Sequence, residues 1–154
     1  MTLHIVRHAD AGDRAAWTGD DRRRPLSAAG RSQADAIALA FADDTLERIV
    51  SSPARRCLDT VEPLAELRGL TVEEDDALAE GAPFDRIDAL LTRLSGSSVL
   101  LCSHGDVIGA IVTTVRRRGV HLGTSIRWPK GSTWILDGWP DTEYAAFVPT
   151  PVEG

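Results

Sequence analysis

Short apolar runs alternating with segments of helical period restrict this chain to one class of fold. Residues 3–6, 49–50, 70–72 and 99–102 read as short strands. Between and after them, Ala34, Ile37, Ala38 and Phe41 recur at i, i+3, i+4 and i+7. Leu58, Val61, Leu64 and Ala65 line one helical face, as do Ile87, Leu90, Leu91 and Leu94, and then Ile108, Ile111, Val112 and Val115. Strand–helix alternation implies a mostly parallel sheet covered on both faces, an α/β three-layer αβα sandwich. Residues 132–136 and 144–148 read as two more strands, with Gly138 and Pro140 marking the turn between them, so the sheet is expected to end in an antiparallel edge. Residues 1–154 are read as one domain, with 149–154 expected to fray. Ser27 is placed to cap the first helix. Ser52-Pro53 predicts a cap followed by proline at the first helical position, and Pro63, inside the second helical pattern, is expected to kink or split it.

Composition removes several function classes. The sum of 17 Lys/Arg and 23 Asp/Glu is -6, with pI near 5.1, which argues against a nucleic-acid polymer or an anionic membrane as partner. No apolar run approaches the ~18 residues of a membrane span, and residues 1–6 lack the basic start and long apolar core of a signal peptide. Cys57 and Cys102 have no partner at CxxC spacing and read as small buried packing groups. The four histidines show neither HExxH nor carboxylates at ligand spacing, so no metal and no other cofactor is expected. The expectation is a reduced, cytoplasmic protein.

In open α/β sheets ligands bind beyond the carboxyl ends of the strands. The first strand runs into Arg7-His8-Ala9-Asp10-Ala11-Gly12, the second into Ser51-Ser52-Pro53-Ala54-Arg55-Arg56, and the fourth into Ser103-His104-Gly105-Asp106, which opens a helix. Alone, each is as readily a surface pair, a helix start or a capped turn. Together they bring imidazole and guanidinium groups to one sheet edge, and the helix opening at Gly105 adds free N–H groups and a positive dipole end. The set predicts an anion site.

These segments resemble the motifs of the histidine phosphatase superfamily, which includes cofactor-dependent phosphoglycerate mutases and acid phosphatases. Val6-Arg7-His8-Ala9-Asp10-Ala11 is similar to its signature, Ser52-Pro53-Ala54-Arg55-Arg56-Cys57 with Thr60 to its second motif, and Ser103-His104-Gly105 to its third. Arg24-Pro25-Leu26-Ser27, Gly30 and Gln33-Ala34 also match. The likeness is greatest to the short SixA-type phosphohistidine phosphatases and, through residues 17–30 and 130–134, to the phosphatase domain fused behind a Nudix domain in actinobacterial MutT-type proteins. It implies phosphoryl transfer without metal. Neutral His8 would be the nucleophile, Arg7 and Arg56 would clamp the phosphate, and protonated His104 would be the second imidazole, with the Gly105 amide behind it. By the same resemblance Glu80 holds the place of a leaving-group acid, and Lys130 of a phosphate contact.

The stretch from Arg56 to His104 is too short for a large lid, so an open cleft is expected. Two substrate classes fit, phosphohistidine on a protein and a nucleotide or other small phosphate ester; a non-catalytic phosphate-binding module is the alternative of another kind. Arg22, Arg23 and Arg24 either extend the anion site or form a solvated loop. Arg116 to Arg118 suit a helix C-terminus. Trp17, Trp128, Trp134 and Trp139 read as core or rim packing, His4 as a satisfied buried histidine, and His121 as a loop residue.

Overall fold

The computed structural model describes residues 2–152. Its elements run β1 (Leu3–Arg7), α1 (Ala28–Ala40), β2 (Arg48–Ser51), α2 (Arg55–Arg68), β3 (Val72–Glu74), α3 (Phe84–Leu94), β4 (Val99–Ser103), α4 (Gly105–Arg117), β5 (Thr133–Leu136) and β6 (Ala145–Val148), with one-turn 3₁₀ segments at Arg14–Ala16, Asp21–Arg23 and Asp76–Leu78. The sheet order is β3-β2-β4-β1-β5-β6. The pairs β3/β2, β2/β4 and β4/β1 are parallel, and β5 and β6 close the edge antiparallel.

Side-chain alternation along the strands divides the core between two faces. Val6, Leu100 and Cys102 point to α1 and α2, where Ile37, Phe41, Cys57, Val61 and Leu64 cover them. Leu3, Ile5 and Leu101 point the other way, under Ile87, Leu91 and Leu94 of α3 and Ile108, Ile111 and Val115 of α4. All five residues of β4 are buried, which is why that strand reads as a continuous apolar run. Trp134 and Trp139 lie in the α3–α4 core, with Trp128 packed against it, while Trp17 is partly exposed.

Three local expectations are corrected. The third strand is Val72–Glu74 rather than residues 70–72. It is an edge strand of half-buried and exposed residues, positioned by its ladder to β2 rather than by hydrophobicity. The second helix begins at Arg55 with Ala54 as its cap residue, because the Ser52 hydroxyl is used elsewhere. Pro63 does not divide that helix, which runs through it as one 14-residue element to Gly69 (φ 65°). The proline removes a single backbone donor, while the buried stripe on either side of it (Cys57, Val61, Leu64 and Ala65) stays packed.

In the segment expected to fray, the Thr150 hydroxyl donates to the Lys130 carbonyl at 2.7 Å; residues 153–154 of that segment lie outside the described residues. Among the described residues no helix is long and apolar enough to cross a membrane.

Candidate active site

Strand register begins the assembly of the site. Arg7 pairs with Ser103 at the ends of β1 and β4, and Ser51 with Cys102 at the end of β2, so His8 and His104 leave neighbouring parallel strands at the same level, with Ser52 one residue behind them on the third. The His8 and His104 ring centroids are 5.5 Å apart at an interplanar angle of 63°. Both rings are buried.

His8 is fixed from several sides. Its backbone N–H donates to the Ser103 carbonyl at 3.0 Å, and Gly131 N–H donates to the Arg7 and His8 carbonyls at 3.1 and 3.2 Å. The next amide, of Ala9, donates to Thr60 Oγ1 at 2.9 Å, while that hydroxyl donates to the Arg56 carbonyl at 2.7 Å. The ring Nδ1 lies 2.8 Å from the Ala9 carbonyl, which only accepts, so the proton sits on Nδ1 and the Nε2 lone pair is free. Burial, foremost, pushes the His8 pKa down to about 3, and the fields of His104, Arg56 and Arg7 add to it against the opposing Ala9 carbonyl. The ring is therefore neutral at ordinary pH.

His104 is the cap residue of α4, but its side chain makes no capping bond. Its Nε2 is 2.9 Å from Ser52 Oγ and 3.6 Å from the Cys57 thiol, and its Nδ1 is 3.4 Å from a terminal nitrogen of Arg56. A guanidinium only donates, so at rest Nδ1 accepts and Nε2–H donates to Ser52. Ser52 Oγ also accepts from Ala54 N–H at 3.2 Å, which explains why it does not cap α2.

The arginines are held differently. Arg56 is buried and gripped by one loop residue twice: it donates to the Asp21 carbonyl at 2.9 Å and pairs with the Asp21 carboxylate at 3.2 Å. The same terminal nitrogen lies 3.4 Å from Glu80 Oε2. Arg7 donates to the Trp128 carbonyl at 2.9 Å, and desolvation lowers its pKa. The Nε–H groups of Arg7 and Arg56 are both buried without a partner among the described residues. Such donors suit an oxyanion.

A cavity of about 190 Å³ opens beside Arg56 and His104, with Asp21, Asp76, Glu80 and Arg22 in its wall. The Glu80 loop is tied to the sheet by Ser103 Oγ, which donates to the Leu78 carbonyl at 2.6 Å, and to α4 by Gly81 N–H, which donates to Asp106 at 2.8 Å. Glu80 also meets Arg14 at 2.9 Å. Gly105 opens α4, and a Cβ on it would lie 3.3 Å from Arg7 Cζ. Lys130 Nζ is 3.7 Å from Asp10, whose carboxyl is held below its usual range chiefly by the Ser27 hydroxyl. The structure thus gathers His8, Arg7, Arg56, His104, Gly105 and Glu80, with Lys130 on the flank at Asp10.

Arg24 is buried and turned inward, with Nε 3.0 Å from Asp21 and a terminal nitrogen donating to the Ala11 carbonyl at 2.7 Å. Arg22 lies in the cavity wall, and Arg118 at the end of α4 stacks over Trp139. His4 bonds Asp44 at 3.0 Å through Nε2, its Nδ1 being buried without a partner among the described residues. Asp21, Arg14 and the Trp128 carbonyl also belong to the site, and no sequence motif marks them. The first two open the one-turn 3₁₀ segments between β1 and α1, a stretch whose main signal is its density of charge, and a backbone acceptor leaves no mark in a sequence.

Residues 3–83 match the Histidine phosphatase superfamily (branch 1). The chain is 32% identical over 143 residues to the 8-oxo-(d)GTP phosphatase of Mycolicibacterium smegmatis, an alignment that covers 88% of this chain and 44% of that protein. It spans less than half the length of the curated relatives it matches. Among solved structures, SixA of Agrobacterium tumefaciens superposes with a TM-score of 0.74 at 25% identity, covering 88% of this chain and 90% of that one. The protein histidine phosphatase SixA complexed with tungstate superposes with a TM-score of 0.76 at 22% identity over 99% and 97% of the two chains.

Proposed function

The chain belongs to the histidine phosphatase superfamily, and from that premise we propose that it is one domain, a metal-independent phosphatase working through a phosphohistidine on His8. The observation that carries this reading is the state of His8. It is a buried neutral imidazole with Nδ1 tied to a carbonyl and an Nε2 that, among the described residues, has no hydrogen-bond partner, beside two arginines whose buried Nε–H groups likewise lack one among those residues. Nε2 attacks phosphorus, the bond to the leaving group breaks, and the phosphoryl group passes to His8; water then attacks phosphorus and returns the ring to its starting form. Arg7 and Arg56 hold the equatorial oxygens in forked geometry, with the first amide of α4, at Gly105, behind them. On substrate binding His104 takes up a proton from solvent at Nδ1, which accepts from Arg56 at rest, and then donates that N–H to a phosphate oxygen. Lys130 serves the phosphate from the flank.

Protein phosphohistidine, as in SixA-type enzymes, is the substrate the cavity favours. It is small, and its wall sets three carboxylates, Asp21, Asp76 and Glu80, against Arg22 and the phosphate-binding Arg56, a balance that suits a neutral or cationic leaving group carried on a larger partner. Glu80 must leave Arg14 and Arg56 before it can donate a proton, and an imidazole leaving group protonated beforehand does not require that step. The 32% identity to an 8-oxo-(d)GTP phosphatase favours a second reading, a nucleotide substrate.

Hydrolysis of an aryl phosphate with chelator present, abolished in His8→Ala, is the expected result. Turnover of a phosphorylated HPt-type protein, compared with nucleoside di- and triphosphates, separates the two substrates. Phosphate binding without any turnover would leave a non-catalytic phosphate-binding module and overturn the proposal.

A further inference from the structure

We propose that Trp128 is the positioning residue for Arg7; this rests on the reading of Arg7 as a phosphate ligand. Arg56 is oriented by carboxylates, but among the described residues Arg7 has no ion-pair partner. Among the described residues its guanidinium makes one protein hydrogen bond, to the Trp128 carbonyl at 2.9 Å. The other bonds around it, Arg7 N–H to the Ser132 carbonyl and Gly131 N–H to the Arg7 carbonyl, fix its backbone and leave the fork free to rotate. The plane of the guanidinium therefore depends on where one carbonyl sits, in a connection of no regular structure between α4 and β5.

The indole ring holds that carbonyl in place. Gly105 and Gly109 lie one turn apart on α4 and form a notch that Trp128 fills. A Cβ at Gly109 would be 2.9 Å from Trp128 Cζ2, and one at Gly105 would be 3.1 Å from Trp128 Nε1 and 3.3 Å from Arg7 Cζ. Helix, indole and guanidinium meet at a single point. Ring and carbonyl belong to one residue, so seating the ring in the notch places the acceptor. Misplacing a forked donor by a fraction of an ångström loses the two-point contact with an oxyanion.

The test is a double-mutant cycle on Trp128→Ala and Arg7→Ala, read as the affinity of the intact chain for inorganic phosphate and as kcat and KM for an aryl phosphate. We expect Trp128→Ala to weaken phosphate binding about tenfold in the parent chain and less than about twofold in the Arg7→Ala background. Trp128→Phe, which keeps a ring for the notch, should retain most of the affinity. An equal loss in both backgrounds, or no loss in either, overturns the inference while leaving the phosphatase reading intact. Failure of the parent chain to bind phosphate or turn over the ester overturns that reading itself. Should Trp128→Ala not fold, Gly109→Ala, which presses on the same ring, enters the same cycle with the same expected non-additivity.

Discussion

Replacing His8 by glutamine isolates the energetic consequence of burying a neutral imidazole. The folded chain holds the His8 pKa at about 3, against an ordinary value of 6.5. As pH falls below 6.5, the unfolded chain takes up a proton at this position that the folded chain refuses. Stability is therefore lost with falling pH, and the loss levels off only near the folded value of about 3. Between pH 7 and pH 4 the difference spans about 2.5 pH units at about 1.4 kcal/mol each, a loss of about 3 kcal/mol to order of magnitude. His8→Gln lacks the titrating group and should be spared that part of the loss, while His4, also lowered chiefly by burial, remains in both proteins and cancels. Urea unfolding followed by tryptophan fluorescence at the two pH values gives the four free energies needed. The gap between the proteins should move by about 3 kcal/mol in favour of the variant at pH 4. A parallel decline, within about 0.5 kcal/mol, would refute the reasoning. The same neutrality predicts that protonation of His8 contributes no acid limb to kcat/KM above about pH 4.

Gly30→Ala places a methyl carbon 1.9 Å from the Asp10 carbonyl oxygen, part of the turn that follows His8. Relieving that contact should cost about 3 kcal/mol and lower the melting temperature by about 6–10 °C; a calorimetric shift under 2 °C would contradict it. Pro63→Ala restores a donor inside α2 and should stabilise the protein by about 2 kcal/mol, seen as a higher urea midpoint at unchanged slope. Arg56→Lys keeps the charge and loses the fork, so kcat/KM for an aryl phosphate should fall about 100-fold or more; retention within threefold would mean that charge alone suffices.

The sandwich and the strand-end cluster were readable because each rests on a strong local signal. β1 and β4 are short apolar runs, α3 and α4 have clean stripes, His8 and His104 follow strands at once, and Arg56 lies in the first turn of the helix after β2. The errors have identifiable physical causes. β3 is an edge strand with little buried surface, so backbone pairing rather than side-chain pattern fixes its limits. Ser52-Pro53 looked like a helix start because a serine near such a position usually caps, whereas this hydroxyl serves the His104 ring 52 residues away. Asp21 carries no local signal because its grip on Arg56 joins residues 35 apart, from a one-turn 3₁₀ segment to α2. The resting Glu80 is likewise defined by contacts with Arg14 and Arg56 that no spacing rule encodes.

The strand order has a consequence for how the protein comes into being. β4, the fourth strand along the chain, lies between β1 and β2. A ribosome that has synthesised the chain only as far as residue 98 has made both arginines and His8, yet β1 and β2 still lack the ladder that joins them. Competence must arrive late and all at once when that missing rung slots in, and nascent or truncated products should be inert rather than partly active.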